Sequence, residues 1–110
     1  MVRFPEGEIA IRTLQFKVTG QNLSKDGDFS GLIAGTKGYL YTEYNFDSEW
    51  AGCKKAAVFL RCDKEYPVPI VNGKCAVPDE ITEYKRWKVY LVGAKDGYRI
   101  TTNEVEVRQA

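Results

Sequence analysis

The stretch Tyr39-Leu-Tyr-Thr-Glu-Tyr-Asn-Phe-Asp-Ser-Glu-Trp-Ala-Gly-Cys-Lys-Lys-Ala-Ala-Val-Phe-Leu60 predicts a strand, a sharp corner and a second strand. In residues 39–46 aromatic and β-branched side chains recur with a period of two, which is typical of a strand. Residues 45–52 are rich in turn formers, and Trp50 inside this corner needs a packing partner. Residues 56–60 are apolar on both faces, which predicts a central strand covered on both sides.

Two dipeptides downstream predict tight hairpins. Asn72-Gly73 lies between the apolar runs 66–71 and 74–77, and both of its residues tolerate the positive φ of a type I′ turn. Asp96-Gly97 lies in the same way between residues 86–93 and 98–102. The run 66–71 contains Pro67 and Pro69, which cannot donate to a ladder, so it is predicted to be an edge strand.

The remaining segments are less regular. Residues 8–19 form a strand whose hydrophobic phase changes near Arg12-Thr13, which predicts a bulge or a crossing between sheets. Residues 20–38 contain a predicted turn at 25–28 and then one short strand or packed loop around Phe29, Leu32 and Ile33. Residues 78–82 predict one short helical turn, and residues 104–108 a last strand.

The pattern as a whole predicts an all-β protein. Seven or eight short strands with regularly spaced turn signals indicate an antiparallel immunoglobulin-like β-sandwich, with a small barrel as the alternative. We expect a single domain over residues 8–108, preceded by an N-terminal arm at 1–7. The Cys…Trp…Cys spacing of antibody domains is missing, so the prediction concerns the sandwich architecture and not that lineage.

Composition narrows the classes of partner. The 110 residues carry 16 Lys+Arg and 15 Asp+Glu, and this net charge of +1 predicts no attraction to nucleic acid or to an anionic membrane. No apolar run is long enough to cross a bilayer and no signal peptide follows Met1. We therefore expect the chain to stay inside the cell that makes it, or to leave by a route other than a signal peptide. Cys53, Cys62 and Cys75 are odd in number and lack a Cys-x-x-Cys pair, which predicts reduced thiols.

The sequence offers no catalytic constellation. The chain has no histidine, which removes the commonest general base and the usual nucleophile pairs. Its acidic pairs fall in predicted turns, and Asp26-Gly27-Asp28 lacks the further ligands of a calcium loop. The segment 85–88, Lys-Arg-Trp-Lys, is interpreted as a solvated strand start with Trp87 in the core. We therefore predict no enzyme activity, no metal and no cofactor.

Aromatic residues are the candidate contact residues instead. Tyr39 and Tyr41 lie in the opposite phase to Leu40 and Tyr44, so one of the two sets is expected to be exposed. Exposed tyrosine is typical of a protein interface or a sugar-stacking platform, and core packing is the competing interpretation. The candidate interface residues are Phe4, Tyr39, Tyr41, Tyr66 and Tyr84.

Three motifs carry a family resemblance: the corner Asp47-Ser-Glu-Trp-Ala-Gly52, the turn Cys75-Ala-Val-Pro-Asp-Glu80, and the closing Gly97-Tyr-Arg-Ile-Thr-Thr-Asn103. In this order, residues 37–108 resemble the small immunoglobulin-like β-domains of tailed-phage and prophage virion proteins. Such domains occur at the N-terminus of upper baseplate and tail-fibre-type proteins of phages that infect Gram-positive bacteria. No stalk or receptor-binding head follows residue 107, so we expect a free-standing accessory module.

The resemblance implies a non-enzymatic virion structural protein, made in the bacterial host cytoplasm. It would serve as a tail or baseplate adaptor, or as a head decoration or fibre-base protein. Its partners would be other virion proteins. The protein itself would be a homo-oligomer or would be present in several copies on a symmetric particle. The alternative is a carbohydrate-binding module that contacts host surface glycan. An exposed Trp50 or Trp87 would favour this alternative, and burial of both would count against it.

Overall fold

The computed structural model describes residues 11–110, which form two packed β-sheets. The elements in chain order are β1 Arg12–Thr19, β2 Asn22–Asp26, β3 Leu40–Phe46, a 3-10 turn Ser48–Trp50, β4 Lys54–Arg61, β5 Lys64–Pro69, β6 Lys74–Ala76, the one-turn helix α1 Asp79–Thr82, β7 Arg86–Lys95, β8 Tyr98–Thr101 and β9 Val105–Arg108.

The two sheets confirm the predicted β-sandwich. One sheet has the order β2-β1-β3-β6, and the other has the order β5-β4-β7-β8 with β9 also paired to β7. The expectation of a wholly antiparallel fold is wrong for one pair, because β1 runs parallel to β3 with Arg12 opposite Leu40 and Val18 opposite Phe46. A parallel pair needs a long crossover, and residues 20–39 supply it.

The described residues hold nine strands rather than seven or eight, and β2 is the main addition. It pairs with β1, and its last two residues fall in the turn predicted at 25–28. Only Leu23 within it is buried. This strand escaped prediction because its other side chains are polar and show no hydrophobic alternation. The region around Phe29 and Leu32 is the packed loop, with the Phe29 ring edge-on to Phe16 at 5.2 Å.

The predicted bulge near Arg12-Thr13 is absent, because residues 12–18 pair with β3 in unbroken register. Leu14, Phe16 and Val18 point inward and are buried. Ile11 precedes the strand, so its opposite phase needs no correction by a bulge. The predicted strand residues 8–10 lie outside the described part of the chain.

Both hairpins and the edge strand are confirmed. Asn72 and Gly73 have φ values of 53° and 76°, and Lys95 pairs with Tyr98 across Asp96-Gly97. The Ile70 N–H donates to the Lys55 carbonyl at 2.9 Å, so the N–H groups of alternate residues in β5 face β4. Pro67 and Pro69 occupy positions whose N–H would face outward, which blunts this edge against further strand pairing.

The predicted corner at residues 45–52 forms around Asp47 and Trp50. The Asp47 carboxylate accepts from the N–H of Gly20 at 2.7 Å and from the N–H of Glu49 at 3.1 Å. The Trp50 indole N–H donates to the Gly20 carbonyl at 2.8 Å, and its buried ring lies 5.1 Å from that of Phe46. The corner therefore ties the β1–β2 turn to the connection between the two sheets.

Thr102 and Asn103, between β8 and β9, join the sheets on the other side. The Thr102 hydroxyl accepts from the Leu91 N–H at 2.9 Å in place of a backbone carbonyl. The Asn103 side chain accepts from the Leu23 N–H at 2.8 Å and donates to the Leu23 carbonyl at 3.0 Å. One amide side chain thus substitutes for a neighbouring strand on the open edge of β2.

Asn103→Asp is expected to lower the free energy of unfolding by about 1–2 kcal/mol, because a carboxylate oxygen would face the Leu23 carbonyl without a donor. Chemical denaturation measures the change. The matched control is Asn45→Asp, which adds the same charge at an exposed position of β3 and should change stability by less than about 0.5 kcal/mol. Equal losses in the two variants would contradict this role for Asn103.

Candidate functional site

The outward face of the five-stranded sheet carries an unusual run of apolar side chains. On β4 these are Ala56, Val58 and Leu60, and on β7 they are Tyr90 and Val92. Val58 lies opposite Tyr90 and Ala56 opposite Val92, so the five side chains form one continuous patch. We refer to Ala56, Val58, Leu60, Tyr90 and Val92 as the apolar strip.

The strip bears on two predictions for residues 56–60, namely that they form a central strand and that both faces of this strand are covered. Strand β4 is central, because β5 and β7 flank it, and its inward residues Ala57 and Phe59 are fully buried. Cover on both sides is only partly correct, because on the outward face Val58 is buried whereas Ala56 and Leu60 remain half-buried. Residues 11–110 form a two-layer sandwich with one interior, so within this range no third layer covers the outer face of the sheet.

The strip continues onto the edge strand and ends in a charged rim. Pro67 lies opposite Val58 and Pro69 opposite Ala56, and both prolines are exposed. The charged residues at outward positions of this sheet are Lys54, Glu65, Arg86, Lys88, Arg99, Glu106 and Arg108. An apolar centre inside a polar rim is the usual anatomy of a protein-binding surface.

One end of the strip opens into a cleft of about 520 Å³. Leu60 belongs to both the strip and the cleft, so the two surfaces are continuous. We refer to this cavity as the basic cleft, and its lining residues are Leu60, Arg61, Cys62, Lys85, Arg86, Trp87, Lys88, Glu104 and Glu106.

The two carboxylates of the basic cleft are already paired. Glu104 lies 3.8 Å from the Lys88 ammonium. Glu106 accepts from Arg108 at 3.0 Å, and this hydrogen bond, with the nearby cations, lowers the pKa of Glu106 despite some desolvation. In contrast, no carboxylate of residues 11–110 lies within 4.0 Å of the cationic groups of Arg61, Lys85 or Arg86.

Arg61 is held in position at this cleft. Its guanidinium lies over the Tyr84 ring at 4.5 Å and donates to the Cys62 sulfur at 2.8 Å. Its Nε is buried and has no hydrogen-bond partner among residues 11–110. Cys62 has φ 57° in the turn between β4 and β5, a conformation in which glycine is favoured. The lip of the cleft therefore combines a fixed cation with a strained turn residue.

The residues predicted as an interface do not form one surface. Tyr39 and Tyr41 are on the outward side of the four-stranded sheet, while Leu40 and Tyr44 are buried, as the phase predicted. Tyr66 lies opposite Phe59 and packs against the core. Tyr84 is exposed beside the basic cleft, under Arg61. Phe4 lies outside the described residues.

Both tryptophans are buried, Trp50 with 0% and Trp87 with 1% of its surface exposed. Trp87 packs on Phe59 with ring centroids 5.6 Å apart, as expected for a core residue. Neither ring is available for stacking on a sugar, which counts against the glycan alternative.

Other polar groups serve local structure. The Asp28 carboxylate accepts from the backbone and hydroxyl of Ser30, and these bonds hold its pKa below the usual value. Cys75 is a buried free thiol 3.2 Å from the Thr42 hydroxyl, and burial raises its pKa. Within residues 11–110 no three His, Cys, Asp or Glu side chains converge as a metal site. No helix in the same range is long and apolar enough to span a membrane.

Sequence reasoning missed the strip and the cleft, although part of the signal was present. Residues 56–60 are apolar in both phases, and Tyr90 and Val92 share a phase opposite to Trp87 and Leu91. Strand order was needed to show that the two outward sets are neighbours. The cleft depends on residues from β4, β7 and β9, whose pairing no local pattern specifies.

The chain matches no protein-family model, and no curated protein is significantly similar to it. The resemblance predicted from the sequence therefore has no basis other than the three motifs. The structure gives two of them a mechanical role, because Asp47 and Trp50 build the corner and Thr102 and Asn103 build the strand junction.

Proposed function

We propose that the protein is a non-enzymatic structural module of a tailed-phage or prophage virion, and that it docks on another virion protein through the apolar strip. The observation that supports docking is the outward-facing apolar strip, half-buried except for the buried Val58, together with its charged rim. The motif resemblance supports the virion as the setting. The immunoglobulin-like form of the sandwich, and a role as tail or baseplate adaptor or as head decoration or fibre-base protein, belong to the same proposal.

The charge of the rim favours a different protein over a second copy of the chain. Five cations and two carboxylates occupy the outward charged positions of the sheet. Two copies placed face to face would bring these excess cations together, and like charges across an interface weaken it. Several copies on one particle would then reflect the symmetry of the partner, with each copy docked separately.

Analysis of purified particles tests the setting. Virions are released from bacteria that carry the gene, separated on a density gradient and digested for mass spectrometry. We expect peptides of this chain to band with the major capsid and tail proteins in a fixed ratio. Peptides that remain with unassembled protein at the top of the gradient would contradict the proposal.

Glycan binding is the second candidate, supported by Tyr39 and Tyr41 on the outward side of the four-stranded sheet. Tyr39 is exposed and Tyr41 is half-buried, and an accessible tyrosine ring can stack on a sugar. A glycan array probed with the intact protein and with Tyr41→Ala tests it. Retention of one glycan class, lost in the variant, would favour this candidate, and equal signals from both proteins would exclude a role for this tyrosine face.

A further inference from the structure

We infer that the docking partner contributes an acidic segment whose carboxylates occupy the basic cleft while its apolar side chains lie on the apolar strip. This inference rests on the proposed function and specifies the chemistry of the partner. Three observations support it: the unpaired cations of the basic cleft, the fixed position of Arg61, and the continuity of the basic cleft with the apolar strip.

Three cations of the basic cleft are left uncompensated within residues 11–110. Arg61, Lys85 and Arg86 line one cleft, and no carboxylate of residues 11–110 pairs with any of them. Both glutamates in the wall are held by Lys88 and Arg108. A cleft with excess charge of one sign focuses its field and attracts the opposite charge.

Arg61 is held in a position from which it can bind an anion. The Tyr84 ring beneath its guanidinium restricts the side chain, so less rotamer entropy is lost when an anion binds. Its one side-chain acceptor among residues 11–110 is the sulfur of Cys62, which is a weak acceptor. A carboxylate would form stronger, charge-assisted hydrogen bonds with the same N–H groups.

Continuity indicates a polypeptide rather than a nucleic acid. Leu60 joins the cleft to an apolar strip whose one aromatic ring is the half-buried Tyr90. The Tyr84 ring beside the cleft lies under Arg61, so successive bases lack a row of free rings on which to stack. A net charge of +1 for the chain supplies little long-range attraction for a continuous phosphate backbone. A protein segment can place discrete carboxylates beside the cations and apolar side chains on the strip.

Fluorescence anisotropy with the full-length protein at low salt tests the inference. The probe is a labelled peptide that alternates glutamate with leucine, and two control peptides carry glutamine for glutamate or serine for leucine. We expect the first peptide to bind, and each control to bind about tenfold or more weakly. Binding of the first peptide should fall as salt is raised, because the contacts are solvent-exposed.

Variants locate the site. Arg61→Gln and Arg86→Gln should each weaken binding of the glutamate–leucine peptide by about tenfold. The matched control is Lys74→Gln, which removes a cation from β6 on the other sheet and should leave affinity unchanged. Circular dichroism and thermal unfolding of all three variants serve as the control that each one keeps the fold.

Three results would overturn the inference: equal binding of the glutamate and glutamine peptides, equal weakening by Lys74→Gln, or displacement of the peptide by a single-stranded oligonucleotide at lower concentration than by unlabelled peptide. These results leave the particle experiment untouched, so a protein that bands with virions but fails here retains its proposed function. A protein that passes here but is missing from particles retains the acidic-segment site and loses the virion setting.

Discussion

Trp50→Ala is expected to lower the free energy of unfolding by about 3–5 kcal/mol. The indole is fully buried and packs on Phe46, so its removal leaves a cavity between the two sheets. It also removes the donor to the Gly20 carbonyl, which holds the β1–β2 turn against the corner. Urea denaturation monitored by circular dichroism measures the change.

Trp50→Phe separates the two contributions. Phenylalanine keeps much of the apolar volume but cannot donate to Gly20, so its loss should be less than half that of alanine. If alanine and phenylalanine cost the same, the hydrogen bond and not the packing would hold the corner. If neither variant loses stability, Trp50 would have no part in the core and the account of the corner would be wrong.

Gly93→Ala is expected to lower the free energy of unfolding by about 1–3 kcal/mol through overpacking. A Cβ at this position would lie 2.7 Å from Trp50 Cζ3 and 3.2 Å from Ile100 Cγ2. Gly93 is not among the glycines with positive φ, so the backbone itself tolerates alanine. In a strand with free space at this position, glycine to alanine would stabilise the protein by roughly 0.5–1 kcal/mol. A loss of stability would therefore indicate that Gly93 lies too close to Trp50 and Ile100 for a Cβ to fit.

A double-mutant cycle identifies the clashing group. In the Trp50→Ala background the ring is gone, so adding Gly93→Ala should be neutral or stabilising. Urea denaturation of the four proteins yields the coupling free energy. A Gly93→Ala loss that is the same in both backgrounds would show that a group other than Trp50 limits the space.

The features that sequence predicted correctly are the ones that local chemistry determines. Asn72 and Gly73 tolerate positive φ, and their hairpin formed as predicted. Pro67 and Pro69 have no N–H to donate to a further strand, and β5 is at the edge of its sheet as predicted. Trp50 is too large and apolar to remain in a solvated turn, and it is buried.

The features that sequence did not predict depend on long-range pairing. Hydrophobic alternation in β1 and β3 is the same whether the strands run parallel or antiparallel, so the parallel pair was invisible. β2 is held partly by the Asn103 side chain, which is 80 positions from Leu23 in the chain. The same limit applied to the site, because Val58 and Tyr90 become neighbours only when β4 and β7 pair.

The tyrosine hypothesis shows how exposure and surface continuity differ. The two-residue alternation of side chains in the sequence correctly separated Tyr39 and Tyr41 from the buried residues of β3. It could not show that Tyr66 packs inward on the other sheet or that Tyr84 lies under Arg61. The residues of the candidate docking surface are mostly aliphatic, and aliphatic residues in a strand are ordinarily assigned to the core.

Photo-crosslinking inside assembled particles tests the central claim, that the outward face of the five-stranded sheet is the docking surface. One variant carries a photoreactive amino acid at Val92 in the apolar strip, and a matched variant carries it at Tyr41 on the outward face of the other sheet. We predict that irradiation of purified virions joins the chain to a single other virion protein from position 92 and not from position 41. Crosslinks from position 41 alone would contradict this account and place the partner on the four-stranded sheet.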